Sequence, residues 1–169
     1  MIYLFRIISD EDQEFLRNLV IDGTDTFLDF HRSLQKNLGY DSSLLASFFI
    51  TNDMWEKQQE ITLIDMMQES GIETRTMDQV TIDEYLNEVN QRLIYVFDFF
   101  SERAFFMELI EMSDEISPRE TPFIGHSRGD APAQMALDLL NEEPEEEQDH
   151  LRLDDLDPDL FDSEFPDEF

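Results

Sequence analysis

Apolar side chains come in short dense runs along this chain, and the period inside each run changes from one segment to the next. Residues 2–9 (IYLFRIIS) are β-branched and aromatic, stop at Ser9-Asp10, and predict a strand. Residues 15–21 (FLRNLVI), stopped by Asp22-Gly23, predict a second strand, so the two form a hairpin. Beyond Thr26 the period lengthens: Phe27, Phe30, His31, Leu34 and Leu38 recur at helical spacing. Thr26 with Asp29 three positions on makes a capping box, and Gly39 stands where a left-handed residue ends a helix, which predicts a helix over 26–38.

Residues 44–50 (LLASFFI) are a short apolar run and predict a strand buried on both faces, with a further short strand at 60–63; the stretch 62–71 equally suits the opening of a short helix. Thr81 and Glu84 repeat the capping-box spacing and predict a helix over 82–89. Residues 92–99 (RLIYVFDF) and 104–112 (AFFMELIEM) predict a central hairpin, and because both strands are apolar on both faces, helices or other chain segments must cover them. Residues 118–129 have loop composition, after which Asp130 and Pro132 suit the start of a helix over 133–140.

These elements predict an α+β fold: a mostly antiparallel sheet containing the central hairpin, packed with a few helices (26–38, 82–89 and 133–140). At 169 residues the chain has room for one such domain, assigned to 1–141, and not for two. The remainder, 142–169, carries 14 acidic residues against Arg152 alone, punctuated by Leu and Phe. It cannot bury enough apolar surface to offset its ordering entropy, so an acidic tail that is disordered on its own is expected.

Charge sharpens the picture. Forty-one acidic and 11 basic residues give a formal net charge of −30, of which 142–169 hold −13 and 1–141 hold −17. Direct nucleic-acid binding is disfavoured, since affinity for phosphate rests on Lys and Arg displacing counterions, and a basic protein partner fits better. With no cysteine, thiol catalysis, disulfides and Cys-ligated metals are excluded. Arg6 and the acidic residues from Asp10 interrupt the apolar start before a signal peptide could form, and no segment approaches 18 uninterrupted apolar residues, so a cytoplasmic protein without a membrane span is expected. No cofactor is indicated, and the oligomeric state is not legible.

Three strings resemble the plasmid pRiA4b ORF-3-like family. Thr26-Phe27-Leu28-Asp29-Phe30-His31, with Gly39-Tyr40-Asp41, is similar to its TLxDLH…GW(D) helix; Tyr95-Val96-Phe97-Asp98-Phe99 to the start of its YxYDFGDxWxH hairpin; and Gly129-Asp130-Ala131-Pro132-Ala133-Gln134 to its Gly-Ala-x-Pro-Pro-Glu-Asp loop. The resemblance runs over about residues 1–135. Where the hairpin pattern continues with Gly-Asp-x-Trp-x-His, this chain has Phe100, Ser101, Glu102, Arg103, Ala104 and Phe105, and Ala133 and Gln134 stand near the acidic pair of the last motif. Roles at those positions are not carried over. The family has no established activity, so the resemblance implies a fold class rather than a reaction.

Among the residues with chemistry, Asp98 and Glu108 interrupt the apolar strands of the hairpin, and paired carboxylates in an apolar setting are what general acid–base work uses. A two-residue turn at Ser101-Glu102 sets Asp98 opposite Phe105 and Glu108 opposite Tyr95, on opposite faces, whereas a three-residue turn puts both carboxylates on one face. The structural reading, in which each is satisfied by a backbone donor, an Arg or water, is favoured. His126, Arg128 and Asp130 share a polar loop; Asp130 as a helix cap is the better account of it. His31 reads as a packed histidine, Trp55 as a residue at the core rim, and the run from Asp154 to Asp159 fails the spacing of a calcium loop, so no metal site is predicted.

The tail carries the binding pattern: Leu156, Leu160, Phe161, Phe165 and Phe169 are spaced among carboxylates, as in segments that dock in a basic, apolar groove. The function expected is a non-enzymatic acidic interaction module whose tail docks on a basic protein. Two alternatives stand beside it: a nucleic-acid mimic that inhibits a DNA-binding protein, and a hydrolase using Asp98 and Glu108.

Overall fold

The computed structural model describes residues 1–65 and 74–136. Ten elements follow in order: β1 (Ile2–Ser9), β2 (Leu16–Asp22), α1 (Phe27–Leu38), β3 (Ser47–Thr51), β4 (Lys57–Thr62), β5 (Thr74–Thr76), α2 (Ile82–Tyr85), β6 (Arg92–Asp98), β7 (Arg103–Ser113) and β8 (Phe123–Arg128). The strands form one sheet in the order β5-β4-β3-β6-β7-β1-β2-β8. Neighbours are antiparallel except β4 and β5, which run parallel, so the sheet is mixed.

The expected α+β fold with several helices is therefore corrected: a mixed eight-stranded sheet dominates, with two helices among the described residues. The helix expected over 82–89 is one turn long, because Leu86 is already extended (φ −118°, ψ 117°) and Asn90 turns the chain at φ 75°. Of the helix expected over 133–140, residues 133–135 are not helical, and the positions from 137 on lie outside the described residues. The expected loop at 118–129 contains β8, an edge strand paired with β2. Of the stretch 62–71, which could have opened a helix, Thr62 instead ends β4 and residues 63–65 are not helical, while 66–71, the domain boundary at 141 and the whole tail lie outside the described residues.

α1 forms as its caps dictate. The Asp29 N–H donates to Thr26 Oγ1 (3.1 Å), the Thr26 N–H donates to Asp29 Oδ2 (2.9 Å), and Gly39 closes the helix at φ 69°. Two further N–H groups of its first turn, on Phe27 and Leu28, donate to the carbonyls of Val80 and Met77, so the start of the helix is tied to the chain ahead of α2.

Both helices lie on one face of the sheet, the inner face. Its core is a run of aromatic rings: Phe30 of α1 lies 5.0 Å from both Phe5 and Phe48, Phe48 lies 4.8 Å from Tyr95, and Phe105 lies 4.6 Å from Phe97 and 4.9 Å from Phe15. Offset and tilted contacts of this kind add to the large apolar area each ring removes from water. Neither helix contributes to the apolar cluster on the opposite, outer face, which consists of Ile94, Val96 and Ala104 with Phe49, Trp55 and Phe106. No helix among the described residues is long and apolar enough to cross a membrane.

A lost ring costs more in the core than in a loop. Phe30→Ala, at a fully buried position, is expected to lower unfolding free energy by about 3–5 kcal/mol, whereas Phe100→Ala, at a side chain 94% exposed in the β6–β7 loop, should stay within about 0.5 kcal/mol of the parent. Urea unfolding followed by far-ultraviolet circular dichroism measures both; equal losses would contradict the packing described.

Candidate functional site

The three strings that carry the family resemblance come together at one end of the inner face. β6 inserts Tyr95 into the core with its ring fully buried, and its hydroxyl needs partners there. α1 supplies two: Gln35 Nε2 donates to Tyr95 Oη at 2.6 Å, and Tyr95 Oη lies 2.7 Å from His31 Nδ1. His31 and Gln35 are one helical turn apart and share a face. With the phenol already accepting from Gln35, it donates to Nδ1, leaving the imidazole proton on Nε2. That atom lies toward the Ser42 backbone without a hydrogen bond of good geometry.

Just past α1, Tyr40 donates its hydroxyl to the Pro132 carbonyl, and Asp41 and Gln134 exchange two hydrogen bonds: the Asp41 N–H to Gln134 Oε1 (2.7 Å) and Gln134 Nε2 to the Asp41 carbonyl (3.0 Å). Arg17, almost fully buried in β2, donates through Nε to Asn37 Oδ1 and through Nη1 to the carbonyls of Leu16, Arg128 and Gly129. Gly129 itself has φ 73°, and a Cβ there would stand 2.5 Å from the Glu14 carbonyl oxygen, so only glycine fits. The segment from Gly129 to Ala136 is thereby strapped across the end of the core, and its last link is the Ala136 N–H donating to Asp98 Oδ2 (3.2 Å).

Asp98 is thus one end of a strap. Its other contacts are the Ser101 N–H (3.3 Å) and Arg103 Nη1 (3.6 Å), and Arg103 Nε donates to Glu11 Oε1 at 2.9 Å. Glu108 is elsewhere. The β6–β7 register sets Tyr95 opposite Phe105 and Arg92 opposite Glu108, with a bulge between Val96 and Asp98 and a four-residue loop 99–102. Neither turn considered from sequence applies. Glu108 stands on the outer face between Arg6 and Arg92, 3.8 Å from each, and shares no partner with Asp98. The two carboxylates are not brought together.

The remaining candidates are also spread. His126 and Arg128 project from β8, with His126 opposite Asn18, and Arg128 Nε donates to the Glu14 carbonyl (3.1 Å). Asp130 is exposed beyond the strand and caps no helix, because residues 133–135 are irregular. Leu156, Leu160, Phe161, Phe165 and Phe169 lie outside the described residues. Among the described residues no group of three or more His, Asp or Glu side chains is placed to hold a metal. An apolar cavity of about 170 Å³ at the ends of β3, β4 and β6, lined by Leu45, Ser47, Thr62 and Phe99 among others, contains none of the candidates.

Burial tunes the inner end as expected for groups cut off from water. It pushes the Tyr95 and Tyr40 phenols up, lowers the Arg17 guanidinium against the raising influence of Asp130, and pushes His31 down to about 4. Gln35, Arg17 and Arg103 carry no role in the sequence reading, and Tyr40 enters it only within the Gly39-Tyr40-Asp41 string. A signal existed for Arg17, a lone cation inside the apolar run 15–21, a position that needs a buried partner.

Comparison with known proteins supports the same fold. The sequence model described as plasmid pRiA4b ORF-3-like protein matches residues 2–165, reaching well beyond residue 135, where the local strings end. Among solved structures, one titled a protein of unknown function, MM3350 from Methanosarcina mazei Go1, superposes with a TM-score of 0.64 at 15% identity, covering 84% of this chain and 82% of that one. Among curated proteins none matches the sequence.

The buried imidazole makes stability depend on acid. The unfolded chain protonates His31 near 6.5 and the folded chain only near 4, so its contribution is complete above pH 6.5 and is lost as pH falls toward 4. At about 1.4 kcal/mol per pH unit the loss is about 3 kcal/mol. His31→Asn, which keeps an acceptor for Tyr95 and cannot titrate, should flatten that part of the profile; urea unfolding from pH 7 to pH 4 measures it, and parallel profiles would remove His31 as the cause.

Proposed function

This chain belongs to the plasmid pRiA4b ORF-3-like family, and we propose that it is a non-enzymatic interaction module whose acidic tail engages a basic protein partner. The observation that carries this reading is the employment of the candidate catalytic groups. Asp98 holds the Ala136 backbone and Arg103, Glu108 lies between two arginines, and His126, Arg128 and Asp130 are strung along an edge strand and its exit. General acid–base work needs groups converging on one reacting atom, and these do not converge.

What remains without a structural assignment is the acidic, Leu- and Phe-bearing stretch 142–169 and the −17 charge of residues 1–141. Such a tail attracts a basic surface over several ångströms and fills apolar pockets at contact. Its five large apolar residues between Leu156 and Phe169 are the groups expected to anchor the complex.

Deletion of residues 142–169 is expected to leave cooperative unfolding of the remainder while abolishing salt-sensitive retention of basic proteins by immobilised protein. Matched retention assays at low and high salt decide this. Unchanged retention after truncation would overturn the tail's role and would favour the competing reading, a nucleic-acid mimic with its carboxylates on the rigid domain.

A further inference from the structure

The outer face of the sheet carries two parallel rows set by strand register. In one, Phe49, Ile94, Phe106, Ile8 and Leu16 stand side by side across β3, β6, β7, β1 and β2. In the next, Arg92, Glu108, Arg6, Asn18 and His126 cross β6, β7, β1, β2 and β8. Trp55 leans over the first row, its ring edge-on to Phe106 at 5.3 Å, and Arg92 stacks on Trp55 at 4.9 Å. Lys57 lies 4.4 Å above Phe49. Ile8, fourth of the five, is 43% exposed. A continuous apolar stripe flanked by charge is a surface built to be covered.

Charge and chain length together select the occupant. The cations Arg6, Lys57, Arg92 and Arg128 border the stripe, against Glu60 and Glu108 in the same rows. That local excess of positive charge occurs in a chain with 11 basic and 41 acidic residues. A second copy would set the same cations against themselves and bring two charges of −30 together. An acidic segment bearing large apolar side chains fits both features. The strap delivers one: Ala136 is fixed on Asp98, at the end of β6 two residues past Val96 of the outer cluster. Extended, residues 137–152 span about 50 Å, whereas five neighbouring strands span about 19 Å.

We propose that residues 153–169 dock in cis on the outer face of their own sheet, with Phe161 and Phe165 on the stripe from Phe49 to Leu16 and the flanking carboxylates beside Arg6 and Arg92. The inference deepens the tail's proposed role, since the same side chains then alternate between this face and a basic partner. Docking leaves the tail's anchors unavailable until a partner of higher affinity displaces them, so the resting protein presents neither the tail's phenylalanines nor a bare stripe.

The absence of cysteine allows an unambiguous test in the full chain. Ser163→Cys carrying a nitroxide is expected to broaden the backbone amide signals of Ile8, Leu16, Phe49 and Phe106 selectively. High salt, or Phe161→Ala with Phe165→Ala, should restore them. Uniform weak broadening, or broadening confined to the helix-bearing face, overturns the proposal. So does broadening that appears only when nitroxide-labelled and isotope-labelled copies are mixed, which would identify a second copy as the occupant. Loss of partner retention on truncation, without broadening of this face, would leave the tail's partner binding standing and remove only the docking.

Discussion

A phenol hydroxyl cannot be buried without a partner, and the one on Tyr95 sits at the centre of an aromatic core. Its two partners, His31 and Gln35, occupy the same side of α1, so satisfying it fixes both the rotation of the helix and its position along β6. Once α1 is placed, its C-terminal end presents Asn37, Tyr40 and Asp41 to the rim of the sheet. Those residues, with Arg17, hold the segment from Gly129 to Ala136 and carry it to Asp98. One buried hydrogen-bond requirement thus propagates from a strand to a helix, then to a strap, and decides where Ala136 stands at the end of the core.

The parts legible in the sequence were those whose signals are local. α1 is specified by Thr26, Asp29 and Gly39 within its own span, and the first hairpin by two apolar runs with a polar stop. The β6–β7 register was not legible, because it depends on a loop whose closure is cooperative. Glu102 adopts φ 54°, Asp98 accepts from the Ser101 N–H, and the chain absorbs a bulge at Phe97, which together move the pairing away from either short turn. β8 was hidden for a related reason. An edge strand containing Gly125 and preceded by Pro122 has weak intrinsic preference, and its ladder to β2 supplies what its sequence lacks. Residues 133–135 had the composition of a helix start, but the bonds of Tyr40 to the Pro132 carbonyl and of Asp41 to the Gln134 side chain hold this segment irregular.

The chemistry was legible as residue types and not as partnerships. A carboxylate inside an apolar strand looks the same from sequence whether it is a general base or half of an ion pair, since the deciding partner arrives from another strand. For Glu108 the partners are Arg92 and Arg6 on the two flanking strands, which neutralise it from both sides. For Asp98 the partner is Arg103 across the hairpin. With so few basic residues in the chain, committing Arg6, Arg92 and Arg103 to such ion pairs and Arg17 to backbone carbonyls leaves most surface carboxylates without a cation. The strong acidity of the surface is therefore partly a consequence of how the fold is held together.

That acidity bears on why a sheet with an apolar outer stripe can exist in water. A flat apolar surface invites pairing with another molecule of the same kind, and the usual deterrents are charges placed on or beside it. Here the stripe has cations at its border, while the chain as a whole carries −30, so two copies meet net repulsion at a distance and like cations at contact. A short acidic segment with apolar anchors meets neither obstacle: the border cations attract it and the stripe receives its side chains. The same charge arrangement that opposes self-association therefore favours acidic, aromatic ligands, and the nearest supply of such a ligand is the chain's own tail.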